Sequence, residues 1–240
     1  MNKFIPLFGV VPKASLILLA FVFAFSFTIN AQFLACGDNI THEGYDYSTV
    51  QIGDQCWFSE NCRYLPEVSP SSEGNTTDPY YYVYGYEGTD ASAAMETDNY
   101  STYGVLYNWP AVMTEGICPS GWHIPSDEEL IELTDFLGGE SVAGEAMKST
   151  SGWNNEGNGS NSSGWSGLPG GVCFLGGVQN IGTDGFWWTA SEYYGSEARY
   201  HRLRDNNGSV IRSYDYRYYG FSARCVQDES VADVPGCMDD

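Results

Sequence analysis

Basic residues are scarce in this chain: ten Lys and Arg stand against 31 Asp and Glu, for a formal net charge of −21 over 240 residues. A surface so poor in cations excludes non-specific nucleic-acid binding, which runs on phosphate neutralisation. It favours solubility without specifying a fold. Histidine is rarer still, with only His42, His123 and His201. No G-x-S-x-G elbow, HExxH pair or phosphate-binding glycine loop occurs, so the common hydrolase, zinc-protease and nucleotide signatures do not apply. No C-x-x-C pair occurs either, which removes zinc ribbons and thioredoxin-like motifs. Past residue 31 no apolar run is long enough to span a bilayer.

Apolar residues are concentrated at the start. Lys3 and Lys13 are the only charges before Asp38, and Leu16 to Phe25 is an apolar run, with Ala31 as a small residue before Gln32. This pattern predicts a signal peptide over residues 1–31. The run is short for a membrane span, and an uncleaved anchor is the alternative. Phe33-Leu34-Ala35-Cys36 offers a second cleavage site of lipoprotein type, but the apolar run ends early for it, so cleavage is placed near Ala31. The expected location is extracellular or at the outer cell surface. Removing the segment takes two lysines and no acids, which moves the charge from −21 to −23.

All seven cysteines (Cys36, Cys56, Cys62, Cys118, Cys173, Cys225 and Cys237) follow that segment. In an exported protein they are expected to form disulfides. Seven is odd, and Cys237 stands three residues before Asp240, so its partner is expected in sequence beyond Asp240.

Residues 32–44 read as a polar extension and residues 45–228 as one domain, with 229–240 an acidic linker or the start of a further module. Tyr47 to Phe58 predicts strand broken by a Gly53-Asp54 turn. Residues 67–99 predict a long surface excursion with a strand at 80–84. Ser126-Asp127-Glu128-Glu129 is a capping box ahead of an apolar stripe at Leu130, Leu133, Phe136 and Leu137, and Gly138-Gly139 stops the helix. A second short helix is expected over 141–148, then a Gly/Ser/Asn/Trp loop over 152–171. Successive strands follow from 185 to 226, with a turn at Asn206-Asn207-Gly208.

Several of these segments are motifs. Ile52-Gly53-Asp54-Gln55-Cys56-Trp57-Phe58, Tyr103-Gly104-Val105-Leu106-Tyr107-Asn108-Trp109 and Cys118-Pro119-Ser120-Gly121-Trp122-His123-Ile124-Pro125-Ser126 come in that order. Leu168-Pro169-Gly170-Gly171, Gly185-Phe186-Trp187-Trp188-Thr189-Ala190-Ser191 and Gly220-Phe221-Ser222-Ala223-Arg224-Cys225 follow. Together they resemble the Fibrobacter succinogenes major paralogous domain. The resemblance implies an α+β, C-type-lectin-like fold, related to the branch holding formylglycine-generating enzymes and variable receptors. Two short helices, small twisted antiparallel sheets, long loops and disulfide bridges are expected. It also implies an exported bacterial protein, and it leaves molecular function open.

Cys118 and Cys225 match family positions, so the resemblance implies the fold's long-range disulfide between them. Cys62 and Cys173 depart from the family pattern and are expected to pair with each other, which leaves Cys36 with Cys56. A local Cys56–Cys62 bridge is the competing assignment.

The sharpest feature for function is a charge reversal. Of eight Lys and Arg in the mature chain, six lie between 199 and 224, where the only acids are Asp205 and Asp215; that stretch is +4 and the remainder −27. Arg199, His201, Arg202, Arg204, Arg212 and Arg217 are the candidate charged contacts. Tyr193, Tyr194, Tyr214, Tyr216, Tyr218 and Tyr219 accompany them, with Asn206 and Asn207 in the turn. Tyrosine supplies rigid amphipathic area and arginine planar, bidentate recognition. In the variable receptors, which share the fold, the final strands carry the diversified residues, so the resemblance implies a face for a protein or polysaccharide ligand over 193–219. The alternative is that the arginines pair with the acidic body, giving a structural surface domain. Trp187 and Trp188 are expected partly in the core, and His123 is expected to be structural.

No enzyme activity is expected, because the cysteines that a formylglycine-generating enzyme would need for copper are assigned to bridges. No cofactor is expected. Calcium is weighed at Trp153-Asn154-Asn155-Glu156-Gly157-Asn158 and Asp205-Asn206-Asn207, which are rich in hard oxygen donors, but neither carries a lectin sugar motif, so both read first as loops.

Overall fold

The computed structural model describes Met1, residues 35–174 and residues 176–229. Apart from Met1, the expected signal peptide lies outside the described residues, as do Cys237 and positions 230–240. The described residues open with two hairpins: β1 (Ile40–His42) with β2 (Tyr45–Tyr47), and β3 (Thr49–Ile52) with β4 (Gln55–Phe58). The first starts inside the expected polar extension. The second turns at Gly53, whose φ of 61° suits a residue without Cβ.

The excursion over 67–99 is more ordered than its composition suggests. It holds β5 (Tyr81–Tyr82), α1 (Ala91–Met95) and the start of α2 (Asp98–Tyr103), and the two helices are capped by the side chains of Asp90 and Thr97. Then come β6 (Leu106–Tyr107), α3 (Trp109–Val112), β7 (Trp122–His123), α4 (Asp127–Phe136) and α5 (Ala143–Met147). Two helices are expected from the sequence; the described residues contain five. The three additions are single turns of four to six residues, too short to show an apolar stripe.

The capping box forms as read: Ser126 Oγ accepts from Glu129 N–H at 3.1 Å, and the Glu129 carboxylate accepts from Ser126 N–H at 2.7 Å. The described residues finish with β8 (Gly170–Phe174), β9 (Gly177–Ile181), β10 (Asp184–Glu192), β11 (Glu197–Arg204), β12 (Ile211–Tyr216) and β13 (Val226–Gln227).

The fold is thus mixed α and β with short helices and small sheets. A five-stranded sheet runs β12-β11-β10-β8-β9, a four-stranded one β3-β4-β13-β7, and β5-β6 and β1-β2 form two-stranded ribbons. Antiparallel sheets are expected, and between the described strands one pair departs from this: β8 and β10 run parallel through Gly171 and Gly185. Both backbones are crowded there. A Cβ on Gly171 would lie 2.3 Å from Gln179 O, and one on Gly185 would lie 2.6 Å from Leu168 O, so only glycine fits.

Two disulfides tie the domain. Cys36–Cys56 fastens the N-terminal segment to β4, and Cys118–Cys225 joins the segment before β7 to the segment before β13. The second spans 107 residues, and closing so long a loop is worth roughly 4–5 kcal/mol in the chain-entropy picture. The expected Cys62–Cys173 bridge does not form, and both thiols are free and buried. Cys62 lies in the main core, whereas Cys173 packs with Tyr82 and Leu106 in a separate cluster. Cys56 is taken by Cys36, so the local Cys56–Cys62 alternative does not form either.

The core is aromatic. Trp57, Trp165, Trp187 and Trp188 are fully buried, and Phe221 stacks on Phe186 with ring centroids 4.9 Å apart and packs at a tilt on Trp188 at 4.4 Å. Each such side chain contributes on the order of 1.5–3 kcal/mol by leaving water. Among the described residues no helix is long and apolar enough to cross a membrane.

Candidate functional site

Strand alternation decides where the Tyr/Arg segment points. β11 and β12 are antiparallel, with Arg199 opposite Tyr214 and His201 opposite Arg212. These four side chains share the face that meets α4. Arg202 sits opposite Phe186 of β10, and Tyr200 opposite Trp188, so they belong to the other face. The candidate contacts therefore do not form one continuous surface; they divide between the two sides of the sheet.

On the α4 side the organiser is Asp127, a buried carboxylate at the helix start that sequence reasoning missed as more than a dipole residue. His201 Nε2 donates to it at 3.0 Å and Arg212 Nε at 2.8 Å, and Arg212 Nη2 makes a second bond to the same oxygen. Arg199 Nε lies 3.8 Å away. Burial pushes the carboxyl pKa up, but the hydrogen bonds from His201 and Arg212 outweigh it and hold Asp127 well below the usual carboxylate range.

Above this buried pair stands an exposed ridge. Tyr193 and Tyr214 stack 3.9 Å apart, and the Arg199 guanidinium lies 4.3 Å from the Tyr193 centroid. Tyr193 is 43% exposed, Tyr194 81%, Tyr214 43% and Tyr216 46%; within the described residues no other tyrosine is as open. Tyr216 stacks on Tyr218 and Tyr218 on Tyr219, which carries the aromatic run around the sheet edge.

The arginines are less free than the charge count implies. Arg202 Nη2 is 2.7 Å and Arg204 Nε 3.6 Å from Asp184 Oδ1, and Arg217 Nη2 is 3.1 Å from Glu192 while its guanidinium covers Trp109. Arg224 is buried, donates to Asn61 Oδ1 and Trp165 O, and stacks on the Trp165 ring. The positive stretch is thus largely neutralised by the body that carries it.

On the opposite face lies a depression of about 290 Å³ lined by β8, β9, β10, β11 and β12 and the segment that follows them. Its floor is Phe186, Tyr200 and Phe221, and its rim holds Gln179, Asn180, Arg202 and Asp215. The sequence reading had no β8–β9 hairpin, so it missed this wall. The available signal was Val172-Cys173-Phe174 followed by Gly176-Gly177 and Val178, two short apolar runs across a diglycine. A larger groove of about 560 Å³ between the β3–β4 turn and α4 is walled by Asp54, Glu128, Glu132 and Asp135, and reads as solvated acidic surface.

The two oxygen-rich segments weighed for calcium do meet. Asn155 Nδ2 donates to Asp205 Oδ2 at 2.6 Å. The carbonyls, however, converge on an ammonium: Lys148 Nζ donates to Gly157 O at 2.7 Å, Asn207 O at 3.1 Å and Arg204 O at 3.3 Å. That donor set is already occupied by a cation of the chain itself. Asn206 and Asn207 are exposed in the same turn. His123 donates from Nδ1 to Asp228 at 2.6 Å and from Nε2 to Glu129 at 2.8 Å. The Glu129 bond leads in pushing its pKa up to about 9.

The family model for the Fibrobacter succinogenes major domain matches residues 50–227. No curated protein and no solved structure matches.

Proposed function

The chain belongs to the Fibrobacter succinogenes major domain family, and on that premise we propose that it is an exported binding module of C-type-lectin-like fold. Its contact surface is the tyrosine ridge, and its ligand a protein or polysaccharide outside the cell. The observation that carries this reading is the preformed Tyr193–Tyr214 stack with Arg199 over it, flanked by Tyr194 and Tyr216, the four tyrosines open to solvent. Large aromatic rings already fixed by stacking lose little entropy on binding, which is what makes them anchors in recognition surfaces. The reading assigns the chain no catalysis and no metal. Export rests on the basic and apolar start of the chain and on seven cysteines that follow it.

A second reading has its own support. Because Arg199, Arg202, Arg204, Arg212 and Arg217 all face carboxylates of the same chain, a structural surface domain without a specific ligand accounts for the charge pattern equally well. The two separate on a protein and glycan array probed with the mature chain. Binding that falls at least tenfold on Tyr194→Ala and Tyr214→Ala, with an unchanged melting temperature, supports the module. An array without a hit, or one indifferent to both substitutions, leaves the structural reading.

A further inference from the structure

We propose that the depression on the face away from the ridge is a metal-independent site for one neutral pyranose ring. It differs from the ridge in position and in chemistry. Its volume of about 290 Å³ is at the small end of ligand clefts, which fits a single ring better than an extended peptide.

Its apolar part is aromatic and graded. Phe186, Tyr200 and Phe221 are buried, Phe186 stacked on Phe221 and Tyr200 meeting Phe221 edge-on, while Phe174 and Tyr219 remain half-buried at the mouth with centroids 6.1 Å apart. Such rings offer faces to the C–H side of a sugar.

Its polar part is unspent. Among the described residues the Gln179 and Asn180 side-chain amides have no hydrogen-bond partner, and the Asp215 carboxylate accepts only from its neighbour's backbone, Tyr216 N–H. An amide supplies both donor and acceptor and a carboxylate two acceptors, a set suited to adjacent hydroxyls. Asp215 is half-buried, and its pKa is raised chiefly by that burial, so its remaining oxygen gains by a donor from a ligand.

The charges on the rim exclude the other ligand classes. Arg202 already places its guanidinium 4.8 Å from the Phe186 ring, so the aromatic floor has its cation and a quaternary ammonium would meet like charge. Asp215 opposes an anionic ligand from the other side. What remains is neutral, hydroxylated and ring-shaped.

Saturation-transfer NMR on the mature chain in EDTA, with methyl pyranosides of the gluco, galacto, manno and xylo series, tests this. At least one glycoside is expected to bind, and Gln179→Ala, Asp215→Asn and Phe174→Ala are each expected to weaken it about tenfold. Gln179 is exposed, so its substitution tests the site without risk to folding. Tyr194→Ala and Tyr214→Ala are expected to leave glycoside binding unchanged. No binding across the series, binding that needs added calcium, or binding insensitive to Gln179→Ala overturns the proposal. Glycoside binding lost on Tyr214→Ala but kept in the pocket variants overturns it too, while supporting the ridge. Glycoside binding confined to the pocket, with an array response indifferent to the ridge variants, supports it and refutes the ridge.

Discussion

Cys62 Sγ lies 3.5 Å from Cys225 Sγ, whose disulfide partner is Cys118. A free thiol so close to a disulfide is placed for exchange, but exchange needs the thiolate. Burial pushes the Cys62 thiol up to about 12, and Cys173 likewise. Both are therefore expected to be inert in the folded protein. In a Cys237→Ser variant, Ellman's reagent at pH 8 should detect no thiol without denaturant and two in guanidinium. Alkaline unfolding should then give a population bridged through Cys62, visible by peptide mapping. Rapid labelling of Cys62 in the native state would contradict the burial argument.

His123 links β7, the first turn of α4 and Asp228. Its folded pKa of about 9 stands above the ordinary histidine value of 6.5. A raised value means that the charged form is favoured by folding, so the contribution is complete below about pH 6.5 and is lost as pH rises through 9. The side chain is 40% exposed, and solvent screening keeps the effect below about 1 kcal/mol. Urea midpoints between pH 6 and pH 10 should fall with pH in the wild type more than in His123→Gln. Equal slopes would show that the clamp contributes nothing.

Asp127 behaves in the opposite sense. Its carboxyl is held below the usual range, so its contribution is present above the ordinary carboxylate pKa and fades as pH falls through the folded value. Asp127→Ala removes the acceptor for His201 and Arg212 together. Arg212 is about one-third exposed and can reach water, so the cost is expected at about 2–3 kcal/mol, under the usual figure for a broken buried pair. Melting temperatures of wild type and variant should draw closer as pH falls from 4 to 2, without yet meeting. A variant as stable as wild type at pH 7 would remove Asp127 as the organiser of this face.

The legible parts of the molecule are those encoded by neighbours in the chain. Ser126 and Glu129 specify a helix start three residues apart, and Gly53-Asp54 a turn, without help from tertiary structure. The parts that stayed hidden depend on register or on distance through space. Arg199 and Arg202 look alike in a composition count, yet pairing against Tyr214 and Phe186 sends them to opposite faces. Gln179 and Asn180 gain meaning only once the β8–β9 hairpin brings them beside Asp215. Cys62 and Cys173 share only a departure from the family pattern, which says nothing about the separation of their Cβ atoms.

Lys148 supplies the last prediction. Its ammonium is buried and donates to three backbone carbonyls from two loops, with Trp153 alongside at 5.5 Å. Burial lowers its pKa, and the carbonyl dipoles compensate in place of a carboxylate. Lys148→Met keeps the stem and strands the three acceptors, so it is expected to destabilise by about 2–4 kcal/mol in urea melts. Lys148→Arg is expected to cost nearly as much, because a planar fork does not match three carbonyls gathered around one point. Calcium should leave the wild-type melting temperature unchanged, since the oxygens it would use already face a positive charge. A calcium-induced rise that Lys148→Met enlarges would instead mean that metal and ammonium compete for those carbonyls.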